Sequence, residues 1–185
     1  MVITILAEPR SGSTNLGKWF KLNKEFTVLL EPYNKNAFDY KKDSPVYDWE
    51  YTTNHLLIKE IYTPDKDLKE LIKFSDKIIV LYRENKEEQL ESWLTAHYTD
   101  NWTGEWYTNQ MKHNNSRIDY FYSLISGFKS NYILNENYFK VSYEELYYSN
   151  GLQKIIDYLK LDCIKNENFP YGKKYRIDLI RSKLI

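Results

Sequence analysis

The sequence predicts an α/β fold: a parallel β-sheet of four to five strands flanked by helices. Three observations predict it. Short apolar runs of strand length recur along the 185 residues, helical patterns separate most of them, and a 42% hydrophobic, 17% aromatic composition can fill a core. The runs are continuous rather than alternating, as strands covered on both faces are.

The first run, residues 2–7, breaks at Glu8-Pro9-Arg10-Ser11-Gly12-Ser13-Thr14 into a small, hydroxyl-rich loop that opens a helical pattern over 14–23. Backbone N–H groups at a helix start have no intrahelical partner, and the dipole adds about half a positive charge, so such a loop is suited to a phosphate or sulfate. Gly12 permits close backbone approach and Arg10 adds a planar cation. Taken alone, the stretch is equally compatible with Ser11, Ser13 or Thr14 capping a helix. A second strand is expected over 26–31 and a third over 56–61. A helix over 65–74 carries Leu68, Leu71 and Ile72 at helical spacing, and a fourth strand follows over 77–82. Leu90, Trp93, Leu94 and His97 mark a helix over 86–98. Further helices are expected over 116–128 and 152–161, the latter with Ile155, Ile156 and Leu159 on one face, and a short fifth strand over 138–142. Residues 32–51 and 100–108 read as long loops, where active-site lids often reside.

Composition bounds the function. The length fits one domain over 1–185, with 162–185 as a C-terminal tail. Net charge is +0 and the basic residues are dispersed, so no nucleic-acid footprint is expected. Cys163 stands alone, and His55, His97 and His113 lack ligand spacing, so neither a disulfide framework nor a metal site is expected. No apolar run approaches the roughly 20 residues of a membrane span. Met1 leads directly into a strand, and a cytoplasmic protein is expected. Arginine is scarce, five residues among 26 basic ones, yet Arg10 and Arg83 both follow strands, where bidentate oxyanion geometry is of use.

Ligands of open parallel sheets bind beyond the carboxyl ends of the strands. That edge would gather the loop 8–13, Glu31, Lys59 and Arg83. A triphosphate site fits poorly. The G-x-x-x-x-G-K-[ST] loop has a Gly-Lys pair absent after Gly12, and only Glu31 or Glu60 offers itself for magnesium. Metal-free handling of a less charged group fits better.

Four segments, in order, resemble the sulfotransferases that use 3′-phosphoadenosine 5′-phosphosulfate (PAPS). Pro9-Arg10-Ser11-Gly12-Ser13-Thr14 resembles the loop cradling the 5′-phosphosulfate, and Ile78-Ile79-Val80-Leu81-Tyr82-Arg83 leading to Ser92 resembles the 3′-phosphate motif. Val141-Ser142-Tyr143-Glu144-Glu145-Leu146 and the helix ending Tyr158-Leu159-Lys160-Leu161 resemble the family's late segment, and Lys59 falls where the third strand usually offers a cation. Arg83 and Ser92 are nine positions apart, one more than in cytosolic aryl and steroid enzymes, and Arg83-Glu84-Asn85 is closer to the carbohydrate-type pattern.

The resemblance implies a P-loop-like architecture and sulfuryl transfer from PAPS to an acceptor hydroxyl, leaving 3′-phosphoadenosine 5′-phosphate. Arg10, Ser11, Gly12, Ser13, Thr14, Asn15, Arg83, Ser92 and Tyr143 would bind the nucleotide, with no metal. Cytosolic members place a catalytic His two positions after the third-strand Lys; here that position is Ile61. Carbohydrate-type and some bacterial members use a Glu after the second strand, which makes Glu31 of Leu30-Glu31-Pro32 the candidate base, with Arg10 and Lys59 neutralising the transferring group. Glu31 is otherwise a strand-terminal carboxylate or a salt-bridge partner for Arg10 or Lys59, and Lys59 otherwise an edge-strand lysine. Arg83 is otherwise paired with Glu84 or Glu87. Asn15 stands where cytosolic enzymes have an adenine-stacking Trp, and Trp19 reads as core. Trp93, Tyr98, Trp102, Trp106 and Tyr107 could stack on an acceptor, Trp102 and Trp106 from a loop. Tyr171-Gly172-Lys173-Lys174 is either a late phosphate loop or a basic tail. A nucleotide-binding or interaction module without turnover and a divergent P-loop kinase are the alternative readings.

Overall fold

A computed structural model of the chain describes residues 1–34, 52–99, 115–161 and Phe169. Five strands, β1 (Val2–Ala7), β2 (Phe26–Leu30), β3 (His55–Ile61), β4 (Lys77–Tyr82) and β5 (Phe139–Ser142), form one sheet in the order β2-β3-β1-β4-β5. Every pairing is parallel, with Ile5 opposite both Lys59 of β3 and Ile79 of β4. The α/β parallel-sheet fold expected from the sequence is therefore the observed one.

Side chains alternate across each strand, so the continuous apolar runs supply two cores. Ile3, Ile5, Ala7, Leu57, Ile79, Leu81 and Val141 face α1 (Ser13–Phe20), α5 (Tyr143–Tyr148) and α6 (Gly151–Leu159). Val2, Leu6, Leu56, Ile58 and Val80 face α2 (Lys69–Phe74) and the end of α4 (Asn115–Phe128), which continues into a π-helical turn, Lys129–Ile133. Trp93 and Leu94 of α3 (Lys86–Thr99) pack with Phe121 and Ile125 of α4 in a third cluster. Trp19 is core, as expected, and Trp93, one of the aromatics that could stack on an acceptor, is also buried in the core. Among the described residues no helix is long and apolar enough to cross a membrane.

Four differences from the expected elements have local causes. The helix expected over 65–74 begins only at Lys69, because Lys66 is drawn back onto the buried Glu60 and the Asp67 carboxylate accepts the Lys69 N–H (3.1 Å). Helix α5 begins immediately at Tyr143 because Ser142 and Glu145 form a reciprocal capping box. Leu161 lies beyond α6, which ends at Lys160 in a left-handed conformation. Helix α1 is capped by Gly12 with no side-chain cap bond, so the simple capping reading of Ser11, Ser13 and Thr14 does not hold. The loop 100–108, Trp102, Trp106, Tyr107, the Tyr98 side chain and Gly172-Lys173-Lys174 lie outside the described residues.

Phe20 is fully buried between α1 and the sheet and contacts Trp19 and Phe26 edge-on or tilted at 5.0 Å. Phe20→Ala should lower the unfolding free energy by about 3–5 kcal/mol in urea titration, whereas Leu22→Ala, at an exposed position, should change it by less than about 0.5 kcal/mol.

Candidate functional site

The chain leaves central β1 toward β2 on one side and later crosses to β4 on the other, so the carboxyl ends of β1 and β4 open a crevice. The loop after β1 lines it. Glu8 N–H continues the ladder to the Leu81 carbonyl (3.0 Å), after which the backbone turns through two left-handed residues, Arg10 (φ 61°) and Gly12 (φ 79°). A Cβ at Gly12 would lie 2.6 Å from the Tyr147 ring and 2.9 Å from that of Tyr143. Glycine is thus required both by φ and by the close approach of α5. Tyr147 hydroxyl donates to the Gly12 carbonyl (2.8 Å), and the Asn15 side chain hydrogen-bonds that hydroxyl. Asn15 therefore secures the loop from α1. Ser11 is buried and its hydroxyl donates to the Glu8 carbonyl (2.7 Å), which makes it part of the turn. Ser13 is buried in the first turn of α1, while Thr14 is exposed.

Two guanidinium groups meet above this loop. Arg10 Nε donates to Ser92 Oγ on α3 (2.9 Å), and burial followed by the nearby Arg83 charge lowers the Arg10 pKa. Ser92 was expected to share a phosphate with Arg83; its observed partner is Arg10, which the left-handed turn brings across the crevice. The Arg83 guanidinium lies 4.5 Å from the centroid of the Tyr143 ring. Its acidic neighbours are Glu88 (2.6 Å) and Glu144 (3.8 Å), in place of the expected Glu84 or Glu87. Tyr143 is pushed up to about 12 by burial and then by Tyr148. Its ring supports Arg83 rather than standing free.

A residue that sequence reasoning missed organises the region. Glu8 is fully buried, and its Oε2 accepts from the Arg83 backbone N–H (3.0 Å), Lys86 Nζ (2.6 Å) and Gln89 Nε2 (3.1 Å). Gln89 also donates to the Pro9 carbonyl (2.7 Å). These bonds lock the Arg10 loop, the end of β4 and the first turns of α3 together. A charged residue placed directly between a buried strand and the loop was the available signal.

The second half of the site lies past β2 and β3. Strand β3 is interior, with β2 outside it, so Lys59 is not an edge-strand lysine. It shares the α1 face with Leu57, is fully buried, and donates to Glu31 Oε1 (2.5 Å) and Thr14 Oγ1 (3.2 Å). Glu31 lies just past β2, with φ 58°. Its N–H donates to the Lys59 carbonyl (2.7 Å), its carbonyl accepts from Asn34 N–H (2.8 Å), and its Oε2 accepts from Asn34 Nδ2 (3.0 Å). Glu60 points to the opposite face, where it pairs with Lys66 and accepts the Tyr33 N–H (3.1 Å). Glu60 is therefore no part of this crevice. Among the described residues no group of His, Cys, Asp or Glu is arranged to hold a metal ion.

Burial pushes the Glu31 carboxyl up, but the Lys59 charge, the hydrogen bonds from Lys59 and Asn34, and Lys66 outweigh it and leave the pKa below the usual range. Burial pulls Lys59 down, and Glu31 offsets only part of this. A depressed carboxylate pKa contributes stability that is complete above its unfolded value, about 4.3, and is lost as pH falls through the folded one. Glu31→Gln should therefore be less stable than the parent at pH 7, with the difference shrinking as pH falls below about 4.3 in denaturation series. A difference independent of pH would assign the effect to packing. No family model matches the sequence, and comparison with curated proteins finds no match.

Proposed function

We propose that the chain is a PAPS-dependent sulfotransferase, transferring a sulfuryl group to the hydroxyl of a carbohydrate or another alcohol or phenol. The observation that carries the reading is the convergence, at one sheet edge, of two guanidinium groups and a buried Lys–Glu pair. Arg10 and Arg83 meet beside the Gly12-opened start of α1, and Lys59 and Glu31 lie past the neighbouring strands. A loop with left-handed Arg10 and Gly12 brings backbone and side-chain donors toward the same space.

In this reading the donor supplies an activated sulfuryl group with a nucleotide phosphate as leaving group. Arg10 and the start of α1 hold the 5′ end, and Arg83 the 3′-phosphate. The acceptor oxygen forms a bond to sulfur as the bond from sulfur to the bridging phosphate oxygen breaks, and the electron pair leaves on that oxygen. Glu31, kept ionised by Lys59, takes the acceptor proton. As it is protonated, its hold on the Lys59 ammonium weakens, and Lys59 with Arg10 neutralises charge on the leaving side.

A specific observation favours a second reading, nucleotide binding without turnover: both Glu31 carboxylate oxygens are already engaged, by Lys59 and by Asn34. Calorimetry and transfer assays separate the readings. Binding of 3′-phosphoadenosine 5′-phosphate without magnesium together with labelled-sulfate transfer supports the enzyme; binding without transfer supports the module; magnesium-dependent ATP binding supports a kinase instead. Arg83→Ala should weaken 3′-phosphoadenosine 5′-phosphate binding by about 2–5 kcal/mol, as for truncation of a buried charge-paired group. An unchanged affinity removes Arg83 from the site. Glu31→Gln should bind that nucleotide as the parent does and lose transfer, and full transfer by this variant would eliminate Glu31 as the base.

A further inference from the structure

Arg83 reaches the crevice already neutralised, and its two carboxylate neighbours are held very differently. Glu144 Oε2 and Oε1 accept the backbone N–H groups of Glu84 (2.9 Å) and Asn85 (3.1 Å), which ties this carboxylate to the turn before α3. Glu88 accepts from Arg83 Nη2 at 2.6 Å, and its side chain is 46% exposed against 10% for Arg83. Arg83 is fixed in place. Tyr143 lies beneath its guanidinium and the buried Glu8 carboxylate holds its backbone N–H. Its Nε is buried with no hydrogen-bond acceptor among the described residues, 3.8 Å from Glu144 Oε1. Of the two partners in the 2.6 Å contact, the carboxylate can turn into water and recover its hydration, and the guanidinium cannot.

Building on the nucleotide reading above, we propose that Glu88 is an exchangeable internal anion at Arg83, whose carboxylate a ligand phosphate group displaces. A phosphate monoester carries close to two negative charges above its second pKa of about 6, so sharing the exposed edge of one guanidinium with a carboxylate is strongly opposed. The trade is favourable because the arriving group carries more charge and can take two parallel N–H bonds from the fork, where Glu88 takes one. Glu88 thereby sets what Arg83 accepts. A 3′-hydroxyl leaves Glu88 in place, and a 3′-phosphate replaces it.

The test is calorimetric titration of the parent, Glu88→Gln, and Glu88→Gln combined with Arg83→Ala. The ligands are inorganic phosphate, adenosine 5′-phosphate and adenosine 3′,5′-bisphosphate at pH 8. Glu88→Gln should tighten phosphate and bisphosphate binding by about two- to five-fold, the scale of one partly exposed ion pair, and leave the monophosphate unchanged. Adding Arg83→Ala should abolish the gain. The proposal is overturned if Glu88→Gln binds phosphate no more tightly, or if the gain survives loss of Arg83. Phosphate separates the two claims: a gain that requires Arg83, with no preference for bisphosphate over monophosphate in either protein, upholds the exchange and defeats the nucleotide reading. A preference for bisphosphate in both proteins without any gain does the reverse.

Discussion

A lysine ammonium on an interior strand, cut off from water by α1, has to be neutralised where it stands, and much of the site follows from that constraint. Lys59 is fully buried, and an unpaired ion there would cost several kcal/mol. Neutralisation requires a carboxylate at the same sheet edge, and Glu31 can supply it only because the chain reverses immediately after β2. That reversal puts Glu31 at φ 58°, unfavourable for a residue with a side chain, and four backbone and side-chain bonds to Lys59 and Asn34 compensate. On the other face of β3, Glu60 accepts the Tyr33 N–H and anchors the same turn from behind. Adjacent residues of one strand thus hold one turn from its two sides.

The edge between β1 and β4 solves the inverse problem. There the carboxylate of Glu8 is fully buried and its cation, Lys86, reaches in from partial exposure. Buried ion pairs seldom add stability over well-packed apolar groups, but breaking one is costly, so they hold geometry more than they add strength. Glu8 fixes Arg83 through its backbone and, through Gln89 and the Pro9 carbonyl, the loop that carries Arg10. The spacing of the two arginines is therefore set by a group that need not touch a ligand itself.

The sheet was legible because its signals are local: apolar runs of strand length, separated by helical spacing, dictate parallel strands wherever they fall. The loop 8–13, Glu31 and Arg83 were legible as neighbours for the same reason, since each stands at the end of a run. Their pairing was not. Ser92 bonds Arg10 because of two left-handed residues in one loop, and nothing in Pro9-Arg10-Ser11-Gly12 specifies that Arg10 rather than Asn15 turns that way. The burial of Lys59 depends on β2 lying outside β3, a matter of strand order that no segment encodes alone. Glu8 is not legible in this way because a charge beside a loop reads as solvated until α3 is known to cover it.

The charge balance of the crevice determines how it can bind. Among the described residues, Arg10, Arg83, Lys59 and Lys86 face Glu8, Glu31, Glu88 and Glu144, four cations against four carboxylates, in a chain whose net charge is also +0. Such a site exerts little long-range attraction, so an anion gains its affinity at contact, from replacing an internal partner with a better one. The four carboxylates are graded for that role. Glu8 is buried and bonded to two elements, and Glu144 is held by backbone N–H groups. Glu31 is clamped by Lys59 and Asn34 within its turn. Glu88 alone of the four combines a single side-chain hydrogen bond with substantial exposure, and it lies on Arg83, which Tyr143 and Glu8 hold in place. Neutrality in the resting crevice is thus compatible with anion binding, provided that one carboxylate is free to leave.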